Sequence, residues 1–321
     1  MLNSSEFDEN TLEKVSRMCD ILHRISSVDY TRERLSLYGG TSLNFLHFRD
    51  IPRLSLDIDF NYRDKKIEEW WKERDRIDDM IKRILSDLGY TPENIRIQAT
   101  YPLTRFILHY KTKMDQKDSI KIEIGYMRRI PVFEEDIKKT FTHIETGREI
   151  ELKTPIPEEI FGNKFCTLLY RYKDESQISS RDLFDVYQIS QQNLEEEMFL
   201  TSLVMDSLMR PEPRIYRQDT EKMMDSVLLD EGVSRLIRKK KIPKDLETKT
   251  LSFIRKYVSL SKERYISIID IFFDEHEFKP ELFKNYDKLH PSIESHPSIL
   301  WNLQRLKNDG EKTIYQFCNI I

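Results

Sequence analysis

The sequence has few of the features that define disulfide-rich or membrane proteins. Its three cysteines, Cys19, Cys166 and Cys318, lie far apart in 321 residues and form no Cys-x-x-Cys pair. Neither a disulfide framework nor a zinc cluster is indicated, and we expect the cysteines to be buried apolar residues. No apolar run approaches the roughly 20 residues that span a bilayer, and the first residues do not resemble a signal peptide. We therefore expect a cytoplasmic protein that does not associate with membranes.

The chain also lacks a large excess of charge of either sign. It has 52 basic and 56 acidic residues, a net charge of −4 and a pI of about 6.1. This balance argues against a generally basic nucleic-acid-binding protein but permits a local basic patch. The strongest basic run, at 238–241, has two interpretations: a solvated helix end, which is the more common case, or a contact with a phosphate backbone.

A short turn rich in small residues stands out near the N-terminus. It contains Gly39 and Gly40, followed by Thr41 and Ser42. Glycine has no β-carbon, so it allows positive φ angles and close approach to a ligand. Thr41 or Ser42 is expected to cap a helix over the apolar residues that follow, and the start of a helix attracts phosphate. The alternative is an ordinary turn and capped helix.

Paired carboxylates follow the turn. Over 54–60 apolar residues alternate strictly with polar ones, which predicts a half-buried strand with Asp57 and Asp59 on one face, about 7 Å apart at their Cα atoms. Without a cation they repel each other, whereas Mg²⁺, or Mn²⁺ in its place, binds carboxylates and substrate phosphates together. Two solvated aspartates are the alternative. Within 21 residues, from Gly39 to Asp59, turn and acids together favour a site for a metal-bound nucleoside triphosphate.

A third carboxylate lies on a later strand. Apolar residues alternate over 120–126 and leave Lys121 and Glu123 on the polar face. If this strand neighbours the one at 54–60, Glu123 joins Asp57 and Asp59, and three such acids suit two metal ions. The alternative is an exposed glutamate paired with Lys121 or another neighbour.

The pattern along the chain predicts an α+β fold. We expect a mixed sheet with flanking helices over residues 1–150 and a mostly helical domain over 151–321. In the first part the periodicity predicts helices over 10–30 and 67–88 and strands near 54–60, 95–97, 104–110 and 119–126, followed by loops and short strands up to 157. In the second it predicts helices near 158–171, 180–192, 196–209, 219–240, 245–259, 261–274 and 297–308.

Two charged pairs begin the helical part. Lys164 and Arg171 are seven residues apart and share a helix face, and Asp182 and Asp185 are three apart and share another. One interpretation is that these are ordinary surface residues, with Asp182 favoured at the start of a helix. In a nucleotide site, Lys164 would reach the triphosphate while an aspartate orients it.

The glycine turn, the acids of the two strands and the two charged pairs, taken in this order along the chain, resemble the AbiEii family. This family consists of nucleotidyltransferase-like toxins of bacterial and archaeal toxin–antitoxin systems and is related to the DNA polymerase beta superfamily. The resemblance spans about 35–190. By position Ser42, Asp57 and Asp59 match the first motif of the family, Lys164 its lysine, and Asp182 or Asp185 its later acid. It implies a nucleotidyltransferase domain followed by a helical domain, Mg²⁺-dependent use of a nucleoside triphosphate, modification of the tRNA acceptor end, and a cognate antitoxin.

Our leading hypothesis is therefore a Mg²⁺-dependent nucleotidyltransferase that acts on a hydroxyl acceptor, with tRNA as the acceptor that the resemblance implies. Asp57, Asp59 and Glu123 would hold metal. The expected catalytic residues are these three together with Lys164, Asp182 and Asp185, and the expected nucleotide-binding residues are Gly39, Gly40, Thr41, Ser42, Lys164 and Arg171. Two alternatives stay open: a regulatory module that binds a triphosphate without transfer, and a transferase for a small molecule such as an antibiotic.

Overall fold

The computed structural model describes residues 7–63, 70–100, 102–175, 179–212, 231–238 and 242–308. The first half combines helices with a sheet. Its helices are α1 (Glu9–Ser27), α2 (Asp29–Arg34), the short α3 (Gly39–Ser42), which continues into a π-helical turn (Leu43–His47), and α4 (Trp70–Asp87). Its strands are β1 (Leu35–Tyr38), β2 (Asp57–Tyr62), β3 (Ile95–Thr100), β4 (Leu103–Lys111), β5 (Lys117–Gly125), β6 (Ile137–Thr142) and β7 (Glu149–Thr154).

Five of these strands form one mixed sheet in the order β1-β2-β5-β4-β3. β2 and β5 are parallel, and the other neighbouring pairs are antiparallel. Along β4 and β5 every second residue is buried, as the alternating sequence predicts. The buried residues pack with α1 and α4 in a hydrophobic core, so the opposite face of the sheet carries the polar residues. β6 and β7 form a separate two-stranded sheet.

The second half is helical among the residues described. Its helices are α5 (Pro157–Glu175), α6 (Ser180–Ile189), α7 (Glu196–Leu208), α8 (Glu231–Leu236), α9 (Leu246–Asp270), which ends in a π-helical turn (Ile271–Glu275), and α10 (Pro297–Lys307). They pack around a second hydrophobic core, which also contains Tyr38, Leu43 and Phe48 from the first half of the chain.

The predicted α+β class, with a mixed sheet followed by helices, is confirmed. Several boundaries differ. The helix predicted over 10–30 is two helices, because Val28 is extended and separates them. The helices predicted at 245–259 and 261–274 are one, α9 and its π-helical turn. β1 was not predicted. Most of the helix predicted over 219–240 lies outside the described residues, and the division at residue 150 stays a prediction.

The cysteine prediction is confirmed for Cys19 and Cys166, both of which are buried. Cys318 lies outside the described residues. Over the described ranges, no helix combines the length and apolar character that a membrane crossing requires.

Candidate active site

The glycine turn fits closely against one of the paired aspartates. Gly39 has a φ of +66°, a conformation that other residues rarely adopt. A β-carbon there would lie 2.2 Å from Oδ2 of Asp59. At Gly40 it would lie 3.0 Å from both Nη2 of Arg53 and Oγ of Ser55. Both glycines therefore make room for charged or polar side chains beside the turn.

The predicted helix cap is wrong. α3 begins at Gly39, its N-cap residue is Tyr38, and Thr41 and Ser42 lie inside the helix. Their side chains are buried: the Thr41 hydroxyl donates to the carbonyl of Asp57, and Oγ of Ser42 lies 2.6 Å from Oγ1 of Thr154. The local sequence does not reveal this, because small hydroxyl residues suit a helix cap and a close contact with a strand equally well. The two hydroxyls are thus occupied, and the groups left for a phosphate are the N–H groups that a helix leaves unpaired at its start.

The three predicted carboxylates lie on two adjacent strands. The parallel pairing of β2 with β5 places Asp59 opposite Glu123 and Asp57 opposite Lys121. Burial, together with the charges of Glu123 and Asp57, raises the pKa of Asp59 to about 7. Burial disfavours the charged Asp59 carboxylate and the two nearby acids repel it, and a bound cation would relieve both effects.

Two cations contact these carboxylates. Nε of Arg105 donates to Oε1 of Glu123 at 2.7 Å. Nζ of Lys121 lies 3.5 Å from Oε1 of Glu123 and 3.6 Å from Oδ2 of Asp57. Glu123 therefore has the position expected of a third carboxylate, beside the paired aspartates, and it is also paired with Lys121, as the alternative predicts. Arg105 is its second cation.

The donor set fits a hard divalent ion. Its oxygens come from carboxylates, the ligands that Mg²⁺ prefers, and the ammonium of Lys121 already occupies a position between Asp57 and Glu123 as a stand-in cation. Within the described ranges, no three acidic, histidine or cysteine side chains are arranged as a metal site. Asp57 and Asp59 are the residues that would hold the ion, and Glu123 is paired with Arg105.

A second charged cluster lies directly behind the glycine turn. Nζ of Lys164, on α5, lies 2.6 Å from Oδ1 of Asp182 and 2.8 Å from Oδ2 of Asp185, both on α6. Nη1 of Arg171 lies 2.8 Å from Oδ2 of Asp182. Burial alone would lower the pKa of Lys164, but the two aspartates outweigh it and the pKa is raised. Burial acts to raise the pKa of Asp182, yet Lys164 and Arg171 lower it to about 2. Lys164 is therefore a fixed cation.

The prediction did not assign a role to Arg53 or Asn44, which join the two clusters. Arg53 is buried and donates to both carboxylate oxygens of Asp185, at 2.6 and 2.5 Å. Asn44 donates to the carbonyl of Gly40 at 2.9 Å and to Asp185 at 3.3 Å. Arg53 precedes the buried strand by a few residues, but its buried partner lies 132 positions away. A single sequence gives no signal for such a pair.

A mixed sheet that bears paired carboxylates beside a glycine turn, with a buried lysine supplied by the following helices, defines a nucleotidyltransferase. The family model described as nucleotidyl transferase AbiEii toxin, type IV toxin–antitoxin system, matches residues 20–285, and the chain belongs to this family. Nucleotidyltransferases of this kind generally use a nucleoside triphosphate and a divalent metal ion.

Solved structures with a similar chain course include two nucleotidyltransferase-type proteins. The nucleotidyltransferase toxin MenT4 of Mycobacterium tuberculosis is 16% identical, over 80% of this chain and 90% of that one, with a TM-score of 0.49. An antigenic nucleotidyltransferase-like protein of Paracoccidioides brasiliensis is 14% identical, over 71% of this chain and 98% of that one, with a TM-score of 0.34. No curated protein sequence matches the chain.

Proposed function

We propose that the chain transfers a nucleoside monophosphate from a nucleoside triphosphate to a hydroxyl of an RNA acceptor, with tRNA as the first candidate, and that it does so with Mg²⁺ as the toxin of a toxin–antitoxin pair. The observation that carries the proposal is the packing of Gly39 against Asp59, with Asp57 and Glu123 beside it on paired parallel strands. Direct contact between an anion-binding turn and a cation site is what transfer from a metal-bound triphosphate requires, and this packing supports it.

Each residue then has a role that its position supports. Asp57 and Asp59 hold the metal ion, which supplies charge neutralisation of the triphosphate, and Glu123 aids the attacking hydroxyl. The backbone of the turn at 39–42 binds the β- and γ-phosphates. Lys164 offsets charge as pyrophosphate leaves.

Asp182 and Asp185 act on the nucleotide only through Lys164. They hold its ammonium from two sides, at 2.6 and 2.8 Å, which leaves it little freedom to turn away. Arg171, half-exposed beyond Asp182, is the further cation expected to contact the nucleotide. With the division predicted at residue 150, the proposed metal ligands belong to the first domain and this lysine cluster to the second.

The test is transfer from each labelled nucleoside triphosphate to total RNA, total protein and small-molecule pools. We expect labelled RNA with wild type and none with Asp57→Asn, which keeps the size of the side chain but removes its charge. Asp79→Asn, at an exposed position on α4, is the control and should transfer at the wild-type rate. Mn²⁺ should raise the melting temperature of wild type and of the control but not of the Asp57 variant.

Full transfer by the Asp57 variant would refute the site. Label found in protein or in a small molecule, with none in RNA, would refute the acceptor. Tight nucleotide binding with no product in any pool would instead support a regulatory module.

A further inference from the structure

The outer face of β3, β4 and β5 is left open beside the carboxylates. Along β4 and β5 the inner residues, such as Phe106 and Ile122, are fully buried against the helices. The outer residues alternate with them, and the antiparallel register aligns those of all three strands: Gln98 lies opposite Arg105, and Arg105 lies opposite Glu123. The outer side chains are exposed or half-exposed.

This face is strongly basic in a chain whose net charge is −4. Its cations form what we call the basic strip: Arg96, Arg105, Lys111, Lys117 and Lys121. The three strands are described in full, and among their outward residues Glu123 is the one acid. An excess of five cations over one acid on this face, in a chain whose total charge is nearly balanced, is typical of a surface that binds a polyanion.

The basic strip leads into the candidate active site. The two strip cations nearest the site contact its carboxylates: Arg105 contacts Glu123, and Lys121 contacts Asp57 and Glu123. From Glu123 it runs along β5 to Lys117 and the adjacent Lys111, a length of about 20 Å at roughly 3.3 Å per residue. One end of the basic strip therefore lies beside Asp57.

The composition of the face favours nucleic acid over the other acceptors. Lys111 and Lys117 lie directly opposite each other, about 5 Å apart, and Lys121 follows Lys117 by four residues, about 13 Å along β5. Cations spaced over this length can each contact a different phosphate of one extended chain. A small molecule would contact only a fraction of a charged surface about 20 Å long. Protein interfaces are depleted of charge at their centre and rich in aromatic residues, whereas this face has Ile107 and Leu103 as its apolar members and no aromatic one, all three strands being described.

We propose that the basic strip binds the phosphodiester backbone of a single-stranded RNA end and directs its terminal hydroxyl to Asp57 and Asp59. This inference rests on the proposed function for the identity of the acceptor, but the surface makes its own prediction: RNA binds there without nucleotide, metal or transfer.

The test compares two triple variants that remove the same charge. The strip variant is Arg96→Gln, Lys111→Gln, Lys117→Gln, at positions remote from the carboxylates. The control variant is Arg76→Gln, Lys82→Gln, Arg83→Gln on α4, which packs on the other side of the sheet. All six side chains are exposed, and Lys111 and Lys82 each hold a nearby aspartate at 2.8 Å. Arg76 of the control set also holds Glu73, at 2.6 Å.

The probe is a short single-stranded RNA with a free 3′ end, titrated at several salt concentrations in the absence of nucleotide and divalent metal. Each phosphate contact contributes about 0.7 to the slope of log K against log salt for a single strand, so the strip variant should lose about 2 from the slope and at least tenfold in affinity. The control should bind nearly as wild type does. Circular dichroism verifies that both variants are folded.

Equal affinity of the two variants would overturn the proposal, whether or not wild type transfers nucleotide to RNA. If RNA binding is unchanged in the strip variant while labelling of a protein acceptor is lost, the face belongs to a protein and the proposal is also overturned. Loss of binding in the strip variant alone supports it, even if no transfer to RNA is found and the proposed function fails.

Discussion

The substitution Gly39→Ala tests whether transfer depends on the close contact between Gly39 and Asp59, separately from the cost in stability of a β-carbon at this backbone conformation. Two effects are expected from the substitution. The first is the cost of a β-carbon at a φ of +66°, about 1–2 kcal/mol. The second is the contact with Oδ2 of Asp59, which must move from 2.2 Å to an ordinary separation of about 3.4 Å, a shift of about 1.2 Å (3.4 − 2.2).

The chain offers a control that shares only the first effect. Gly147 has a φ of +71°, and a β-carbon there would meet nothing within 4 Å. Gly147→Ala should therefore lower the free energy of unfolding by about 1–2 kcal/mol and leave transfer unchanged. The contacts in Gly39→Ala all fall on the Asp59 side chain, with Cγ at 3.0 Å and Cβ at 3.1 Å besides Oδ2. The carboxylate can turn away but the Cβ shifts only with the strand, so we expect a further loss of stability beyond that of Gly147→Ala.

Function should respond much more strongly than stability. Displacement of a reacting group by about 1 Å can cost about 100-fold in rate, and Asp59 is a proposed metal ligand. We expect transfer by Gly39→Ala to fall by about that factor relative to Gly147→Ala, with urea denaturation used to compare the two stabilities. Equal transfer by the two variants would refute the reasoning that Gly39 is present to admit the Asp59 carboxylate.

Two further predictions concern buried charge. Arg53→Met should destabilise the protein by about 3 kcal/mol in urea denaturation, because it removes a bidentate partner from buried Asp185 and leaves only part of that charge paired; an unchanged midpoint would contradict this. Asp59 has its pKa raised to about 7, so the metal-free native state holds its proton more tightly than the unfolded chain and stability falls as pH rises from about 4 to 7. The loss is at most about 4 kcal/mol, and Asp59→Asn should be more stable than wild type at pH 8 but not at pH 4.

The parts of the site that follow a local rule were predictable from the sequence. The alternation around Asp57 and Asp59 fixes their common face, and the same rule places Glu123 outward on its own strand. The sequence did not predict that these two strands are neighbours, because no local pattern determines which strands pair in a sheet. In the structure they pair in parallel as β2 and β5.

Contacts between distant segments were not predictable in this way. In the sequence Arg53 is an ordinary charged residue before a strand. Its burial depends on the ion pair with Asp185 of α6. The hydroxyls of Thr41 and Ser42 suggest a helix cap because that is the local use of such residues, but tertiary contacts to Asp57 and Thr154 occupy them. The basic strip was missed for a similar reason, since its members are spread over three strands and only the register collects them.

The same long-range contacts make the glycine turn dependent on the helical half of the chain. Asn44 ties the carbonyl of Gly40 to Asp185, and Arg53 lies between Gly40 and that aspartate. Lys164 neutralises Asp185 from the other side. The turn proposed to bind the phosphates is therefore held in place by a buried ion-pair cluster whose acids come from α6. Tyr38, which precedes the turn, belongs to the second hydrophobic core. The sheet supplies the proposed metal ligands, but their geometry relative to the backbone of the glycine turn depends on both halves of the chain.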